Sequence, residues 1–340
     1  MHSDPSLEVD ATEIWKLAAA SLGVAIVLVD SNGRTVYADY LDKFGQKGFA
    51  QRVLLDRAVS GIKRDGKSGI FRQQALEIFG PPRSYFQLES KPLGKEESPS
   101  FVVIIEDITA RRHLEEIRRD FVANVSHELK TPVGAIVLLA DAMSQETEPD
   151  TLLRLANRIL SEGDRLAHLV SDLLDLSKIE ETAIDLSRKV NLLELVAEIV
   201  ERSTPPASEK QITIELSAHL EDPEIEGERW QLSSAFSNLV DNAIKYSEPG
   251  TVVAISLEET GGGVVVKVMD HGIGIPARDL HRIFERFYRV DADRARTTGG
   301  TGLGLSIVRH VIDNHHGEIA VSSTEGVGTT FTLTLPRSAR

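Results

Sequence analysis

Residues 152–176 read LLRLANRILSEGDRLAHLVSDLLDL, and their apolar pattern determines the architecture of the middle of the chain. An apolar residue recurs alternately every three and four positions over three heptads, with one polar exception, Glu162. The positions are Leu152, Leu155, Ile159, Glu162, Leu166, Leu169, Leu173 and Leu176. Such a repeat places the side chains on one seam that packs against another helix. The sequence therefore predicts a long helix with coiled-coil packing, which starts at the turn marked by Pro149 and Asp150.

A second apolar stripe precedes this helix. Leu114, Ile117, Phe121 and Val125 are three or four positions apart, which predicts another amphipathic helix from about Ala110. One hairpin of two such helices would leave much of its apolar stripe in water. We therefore expect an antiparallel helical hairpin that dimerises into a four-helix bundle, so the chain should be a homodimer.

The flanking segments predict two further domains. Before the helices, a small α+β domain is indicated by a hairpin (Val24–Asp30 and Arg34–Ala38 around the turn Ser31–Gly33), a helix (Phe49–Val59) and strands Phe86–Leu93 and Phe101–Thr109. After them, helices Asn191–Arg202, Arg229–Tyr246 and Gly304–Asn314 alternate with strands Ile212–Ser217, Thr251–Leu257, Val264–Asp270, Glu318–Ser323 and Thr329–Leu335. This alternation predicts an α/β sandwich, one sheet covered by helices. The fold class is multidomain α+β, with domains at 1–109, 110–184 and 185–340.

Charge and composition exclude several functions. The formal net charge of −14 and the pI near 5.2 argue against a nucleic-acid partner. The absence of cysteine excludes disulfides, thiolate nucleophiles and Cys-ligated zinc. The longest apolar run, Leu17–Val29, is shorter than the roughly 20 residues of a membrane-spanning helix, and no basic segment precedes it. We expect a cytoplasmic protein, free or at the inner face of the cell membrane.

Residues Gly61–Ser68 match the phosphate-binding pattern G-x-x-x-x-G-K-S. That motif needs a strand before the loop and a helix after it, so that backbone N–H groups surround a phosphate. Here a helical pattern precedes the loop, and a strand-like run follows it. A basic surface turn is the better interpretation.

The α/β region carries a more coherent set of motifs. Asn238, Asn242 and Lys245 fall on one helical face, where carboxamide oxygens suit Mg²⁺ and a lysine suits phosphate. Taken alone, these residues are better explained as a solvated helix face.

Two glycine-rich turns follow. Asp270–Pro276 leaves a valine-rich strand, and its aspartate could accept a hydrogen bond from an exocyclic amine while its glycines admit a ligand. A common strand exit would look the same. Gly299–Gly304 opens a helix, where free N–H donors and the helix dipole favour phosphate, although a flexible connector is the alternative.

Aromatic residues lie between these two turns. The segment Phe284–Arg289 is followed by the polar stretch Asp291–Thr298, which suggests a lid, although anchoring in the core explains Phe284 equally well. The order and spacing of all four elements leave little room for chance.

The chain thereby resembles the sensor histidine kinases from about Ile108 to Pro336. Their ATP-binding domain carries an asparagine box, a D-x-G-x-G loop, a phenylalanine box and a G-x-G-x-G loop in this order. FVANVSHELKTP, residues 121–132, is similar to their phosphoacceptor box, and the first domain resembles a PAS sensor with the exit DITARRHLEEIRRDF. Within the family, the chain resembles the phosphate-regulon group of actinobacteria.

The resemblance implies roles for individual residues. His127 would be the phosphoacceptor, Glu128 the base that orients it and takes its proton, and Thr131 the residue that positions water for dephosphorylation. Asn242 and Asn238 would hold Mg²⁺. ATP would be bound by Asn238, Asn242, Lys245, Tyr246, Asp270, Gly272, Gly274, Ile275, Phe287, Gly300, Thr301, Gly302, Leu303 and Gly304.

The helix geometry agrees with an acceptor role for His127. At about 100° per residue, His127 lies roughly 125° from the Leu114–Val125 stripe and should face solvent. Pro132 removes one helical hydrogen bond, a disruption of about 3 kcal/mol or more in an ordinary interior, which suggests a kink and a hinge.

The sequence therefore predicts a kinase that autophosphorylates on His127 and passes the phosphoryl group to an aspartate of a separate response regulator, which it also dephosphorylates. The PAS domain could bind a small ligand. One alternative is an ATP-binding sensor scaffold without turnover. Another is an ATPase of the same superfamily, such as a chaperone or topoisomerase ATPase domain, but those lack a histidine-bearing hairpin upstream.

Overall fold

The computed structural model describes residues 17, 19–30, 34–39, 53, 54, 56, 57, 60, 74–78, 83–93, 100–181, 185–290 and 300–337. The chain groups into two compact units, Met1–Asp120 and Phe121–Arg340. The phosphate-loop pattern at Gly61–Ser68, the turn Ser31–Gly33 and the suggested lid Asp291–Thr298 lie outside the described residues.

The first unit contains a five-stranded antiparallel sheet in the order β2-β1-β5-β4-β3. The strands are β1 (Val24–Val29), β2 (Thr35–Asp39), β3 (Gln74–Ile78), β4 (Ser84–Leu93) and β5 (Ser100–Asp107). The predicted hairpin is confirmed as β1 and β2, whereas β3 was missed. Alternate residues of β1 and β5 enter one core, so the period of two in the sequence places them. Of the predicted helix Phe49–Val59, the described residues 53, 54, 56 and 57 are helical.

Two long helices follow, α1 (Thr109–Gln145) and α2 (Pro149–Glu181), as the apolar periodicity predicted. Asp107 accepts a hydrogen bond from the Thr109 backbone N–H (2.9 Å), which starts α1. α1 continues through Pro132, which is buried. Since proline has no N–H, the carbonyl of Glu128 loses its partner one turn later, but the helix does not break there.

Part of the apolar surface of this hairpin is uncovered within one chain. Leu169 and Leu176 of the seam are buried, whereas Leu153, Leu160 and Leu174 are 63%, 65% and 66% exposed. Leu160 is seven positions after Leu153, and Leu174 is fourteen positions after Leu160, so the three leucines lie on one face of α2.

The remainder of the second unit is an α/β sandwich. Its five-stranded sheet has the order β11-β12-β10-β9-β7, antiparallel except for the parallel pair β7–β9. The strands are β7 (Thr213–His219), β9 (Val252–Thr260), β10 (Gly263–Asp270), β11 (Glu318–Thr324) and β12 (Gly328–Pro336). Two three-residue strands missed from the sequence, β6 (Lys189–Asn191) and β8 (Glu224–Glu226), form a separate ladder.

Helices α3 (Leu192–Glu209), α4 (Arg229–Tyr246) and α5 (Gly304–Asn314) cover the sheet, and their apolar faces share its core. α3 extends past the predicted end at Arg202 and includes Pro205 and Pro206. Buried residues continue along its inner face to Ala207, so packing outweighs the proline signal. No helix in the described part of the chain is long and apolar enough to cross a bilayer.

Candidate active site

α1 presents His127 to a cavity of about 290 Å³. The His127 side chain is exposed, as its helical position predicted. The cavity is lined by Asn124, His127 and Glu128 of α1 and by Arg282, Glu285, Arg286, Phe287 and Tyr288 of the sandwich. The imidazole therefore opens onto a polar space between the hairpin and the sandwich.

Glu128 and Thr131, the two residues predicted to act with His127, both form hydrogen bonds. Glu128 Oε2 accepts a hydrogen bond from Arg165 Nη2 of α2 (3.1 Å). Thr131 Oγ1 donates to the His127 carbonyl oxygen (3.1 Å), which leaves the hydroxyl oxygen able to accept.

The far wall of the cavity is joined to the glycine loop. Phe287 has a positive φ (62°), and its N–H donates to the Gly302 carbonyl (2.8 Å). Gly302 also has a positive φ (74°), and a Cβ there would lie 2.8 Å from Phe287 Cα. The Phe287 ring packs 5.8 Å from the ring of Phe121 on α1. The strained turn at Phe287 thus contacts both α1 and the loop 300–304.

The predicted α4 face meets this loop. Asn238 Nδ2 donates to the Ser234 carbonyl (2.9 Å), and Asn238 Oδ1 lies where a Cβ on Gly304 would be. Lys245 Nζ would lie 2.5 Å from a Cβ on Gly300. Asn242 is half-buried on the same helix. Residues about 60 positions apart in the sequence therefore form one polar cradle.

The electrostatics of this cradle favour an anion. Burial, together with the positive charges of Arg289, Arg165 and Lys210, lowers the pKa of Lys245 to about 8. Burial also raises the pKa of the neighbouring Tyr246 phenol. An incoming phosphate would relieve the repulsion on Lys245 and favour its charged form.

Asp270 ends β10 in a buried position. Its Oδ1 accepts from the N–H groups of Gly272 (3.0 Å) and Thr329 (3.2 Å), and burial raises the pKa of the carboxyl group. No described residue donates a hydrogen bond to Oδ2, so this oxygen can accept one from a ligand amine.

The glycines after Asp270 lie close to protein backbone. A Cβ on Gly272 would collide with the Tyr246 carbonyl, and one on Gly274 (φ 67°) with the Thr324 carbonyl. The close approach is therefore by protein backbone, and these glycines shape the turn. Ile275 continues it, and its N–H donates to Ser323 Oγ (2.8 Å).

The aromatic segment is anchored in the core of the sandwich. Phe284 packs edge-on against Phe331 of β12 (6.5 Å), which confirms the core-anchoring interpretation. Arg286 forms an ion pair with Glu180 at the end of α2 and lies 5.4 Å from the Phe121 ring. Anchoring by Phe284 thus holds Phe287 and Arg286 at the cavity.

Sequence reasoning missed the hydrogen-bond partners of several site residues. Thr301 Oγ1 donates to Asp172 of α2 (2.6 Å) and accepts from the Leu303 N–H (3.2 Å). Lys210 Nζ donates to the carbonyls of Ile244 (2.8 Å), Lys245 and Ser247 (3.0 Å) at the end of α4. Arg165 and Asp172 are ordinary polar positions of α2 in the sequence. Their partners lie 37 and 129 positions away, and no local pattern reports such pairs.

A hairpin that exposes a histidine towards a sandwich with a buried aspartate and a glycine loop defines a two-part phosphotransfer protein. Comparisons with known proteins agree. Residues 117–182 match the His Kinase A (phospho-acceptor) domain, and residues 227–339 match the histidine kinase-, DNA gyrase B- and HSP90-like ATPase domain.

Full-length relatives extend the match. The chain is 40% identical over 328 residues to the sensor-like histidine kinase SenX3 of Mycolicibacterium smegmatis, covering 93% of this chain and 83% of SenX3. It is 42% identical over 246 residues to SenX3 of Mycobacterium tuberculosis, covering 72% of this chain and 60% of that protein. The fold resembles histidine kinase ThkA in its complex with the response regulator TrrA, with a TM-score of 0.56 at 24% identity, over 92% of this chain and 96% of that one.

The chain belongs to the sensor histidine kinase family, and it is an ATP-dependent protein-histidine kinase of a two-component system.

Proposed function

We propose that this kinase binds ATP between α4, Asp270 and the loop 300–304, phosphorylates its own His127, and passes the phosphoryl group to an aspartate of a response regulator. The observation that carries the proposal is the exposed His127 in the cavity whose far wall, Phe287, is hydrogen-bonded to Gly302 of the glycine loop. The acceptor and the nucleotide loop are thus linked through one residue.

The nucleotide contacts follow from the chemistry of the described groups. Asp270 Oδ2 would accept from the adenine amine, with Ile275 and Tyr246 beside the base. Lys245 and the loop Gly300–Gly304, with Thr301 and Leu303, would contact the phosphates at the start of α5. Gly272, Gly274 and Phe287 shape the pocket through their backbones.

The residues present also fit a magnesium ion. The amide of Asn238 is oriented by its bond to Ser234, which leaves a hard oxygen towards Gly304, and Asn242 supplies another carboxamide. Among the described residues, no cluster of three or more His, Asp or Glu could hold a metal. Asn242 and Asn238 would therefore share the ion with the phosphates, whose charge it would screen.

The transfer itself needs a nucleophile and a proton acceptor. The unprotonated nitrogen of His127 would attack the γ-phosphorus, and the bond from that phosphorus to the β–γ bridging oxygen would break, releasing ADP. The proton of the other imidazole nitrogen would pass to Glu128. Thr131 would orient water against the phosphorylated regulator, which gives the kinase its phosphatase activity.

The remaining assignments concern organisation. We assign 1–109 to a PAS-like sensor that could take a small ligand, 110–184 to dimerisation and phosphotransfer, and 185–340 to catalysis. The five-stranded antiparallel sheet of the first unit supports a PAS-like fold. The exposed face of Leu153, Leu160 and Leu174 supports a homodimer with a four-helix bundle, since a second copy would bury it.

Incubation with γ-labelled ATP and Mg²⁺ tests the kinase assignment against the scaffold alternative. A kinase accumulates acid-labile, base-stable label on the chain, whereas a scaffold without turnover binds ATP and stays unlabelled.

The lowered pKa of Lys245 predicts a pH dependence of ATP binding. Below pH 8, Lys245 is charged with or without phosphate beside it, so affinity does not change through this group. Above pH 8, the free protein must take up a proton on binding, so affinity should fall by up to about tenfold per pH unit. Calorimetric titration with a non-hydrolysable ATP analogue from pH 7 to 10 measures this.

Lys245→Arg is the matched control, since arginine keeps its charge over this range. Its affinity should stay level where that of the wild type falls. Equal slopes in the two proteins would place the responsible proton elsewhere.

Gly302→Ala should weaken ATP binding. An alanine at φ 74° costs about 1–2 kcal/mol, and its Cβ would meet the Phe287 backbone, which is a wall of the cavity. We expect a loss of about tenfold or more in affinity for ATP, measured by equilibrium titration. Gly250→Ala is the control, because Gly250 has a φ of 83° but nothing within 4 Å of the added Cβ. It should bind ATP like the wild type, and equal affinities in both variants would contradict the role of the loop.

A further inference from the structure

Arg165 of α2 lies between two carboxylates inside the hairpin. Its Nη2 donates to Glu128 Oε2 of α1 (3.1 Å), and its Nη1 lies 3.8 Å from Glu162 Oε2 one turn earlier on α2. The side chains of Arg165, Glu128 and Glu162 are only 13%, 23% and 29% exposed. One guanidinium thus connects the residue after the acceptor histidine to a carboxylate on the facing helix.

Glu162 is the polar exception in the apolar seam of α2. A carboxylate at a seam position costs stability unless it is paired, because a leucine there would be buried without loss. Glu162 Oε2 is buried and accepts no hydrogen bond from the described residues, so its one partner within 4.0 Å is Arg165. The seam therefore has a carboxylate instead of an apolar side chain at the position that contacts Arg165.

We propose that Arg165 is a positioning residue for phosphoryl transfer, which fixes the carboxylate of Glu128 beside His127 and is itself held by Glu162. This inference rests on the proposed role of Glu128. The planar guanidinium fixes both the position and the plane of the carboxylate it binds. With Oε2 held by Arg165, Oε1 is the oxygen that remains for the imidazole proton.

A purely structural role predicts something different. An ion pair that only joins α1 to α2 would lower the thermal stability when either partner is removed, and autophosphorylation measured well below the unfolding transition would stay close to the wild-type rate. A residue that acts through Glu128 slows autophosphorylation at that same temperature, and it loses this influence once Glu128 is gone. The rate below the transition therefore separates the two roles, and the coupling shows whether Arg165 acts through Glu128.

The experiment measures single-turnover autophosphorylation of the full chain. ATP is saturating, because the positive charge of Arg165 also lowers the pKa of Lys245, so removing it would change ATP affinity as well. The variants are Arg165→Met, Arg165→Lys, Glu128→Ala and the double variant Glu128→Ala/Arg165→Met. Arg158→Met is the control, since Arg158 is exposed and lies seven positions earlier on the same face of α2. ATP affinity and thermal unfolding are measured for each.

We expect Arg165→Met to slow autophosphorylation by about tenfold to a hundredfold, the size of effect that misplacing a catalytic group by about 1 Å produces. Arg165→Lys, which keeps the charge but loses the fork, should fall between this variant and the wild type. Arg158→Met should match the wild type. In the Glu128→Ala background, Arg165→Met should add less than about twofold.

Three outcomes would overturn the inference. If Arg165→Met phosphorylates at the wild-type rate while Glu128→Ala is slow, Arg165 has no positioning role and the base assignment stands. If the losses multiply in the double variant, Arg165 acts independently of Glu128. A wild-type rate for Glu128→Ala would remove the proposed base and this inference with it. Should Arg165→Met not fold, Glu162→Gln replaces it, and a wild-type rate in that variant and in Arg165→Lys would count against the proposal.

Discussion

A chain in which His127 is replaced by glutamine is expected to bind ATP but to incorporate no acid-labile, base-stable phosphate. Glutamine approximates the length and polarity of histidine but offers no nucleophilic nitrogen. The fold should tolerate the change, because an exposed position usually shifts stability by less than about 0.5 kcal/mol. The measurement is label transfer from γ-labelled ATP beside an ATP-binding titration of the same preparation.

His113→Gln is the matched control for this loss. His113 is exposed on the same helix, fourteen positions earlier and therefore on the same heptad position. It should label like the wild type. Retained labelling of His127→Gln would refute the acceptor assignment, and loss of labelling in both variants would indicate a general defect of the helix.

Kinase and phosphatase activities should separate at Glu128 and Thr131, one and four positions after His127. Glu128→Ala should slow autophosphorylation by about 10²–10⁴-fold if the carboxylate takes the imidazole proton. Thr131→Ala should leave autophosphorylation largely intact and prolong the lifetime of the phosphorylated regulator, because a hydroxyl orients water but is a poor base. Both rates can be followed by label transfer to and loss from the regulator.

Thr131→Ser tests the hydroxyl itself. Serine can keep the bond to the His127 carbonyl and the accepting oxygen, so it should restore dephosphorylation. A Thr131→Ala protein that dephosphorylates its regulator at the wild-type rate would leave the phosphatase role without support, and the kinase role of Glu128 would be unaffected.

Local sequence patterns predicted most of the secondary structure. The seam of α2 predicted one long helix because its spacing repeats with a single polar exception, and a run rich in valine predicted β10. The strands β3, β6 and β8 escaped notice, two of them because three residues are too few to show a period. The predicted end of α3 at Arg202 was too early, since burial on its inner face outweighs the low helix propensity of Pro205 and Pro206.

The same reasoning predicted only part of the candidate site. The four motifs of the sandwich were found because each is a short continuous segment of the sequence. Their partners on the hairpin are single polar residues with no local signal. Arg165 and Asp172 acquire a role only when folding brings Glu128 and Thr301 to them. The backbone contact of Gly272 gives one glycine of the Asp270 turn a structural reason that the sequence did not indicate, and the role of this turn towards a ligand stays a prediction. The placement in the phosphate-regulon group stays a prediction.

The bond between Thr301 and Asp172 has a thermodynamic consequence. It ties the glycine loop to α2 through a carboxylate whose pKa is raised by burial, and phosphate oxygens arriving at the same loop would repel that carboxylate. ATP binding would then weaken the bond that joins the sandwich to the hairpin, and this bond would weaken ATP binding. One coupling free energy describes both effects. This coupling is reciprocal. If bound ATP favours a movement of α2 that frees Thr301 by some factor, the same movement raises the affinity for ATP by that factor. A signal that reaches the hairpin can therefore change nucleotide occupancy without touching the nucleotide.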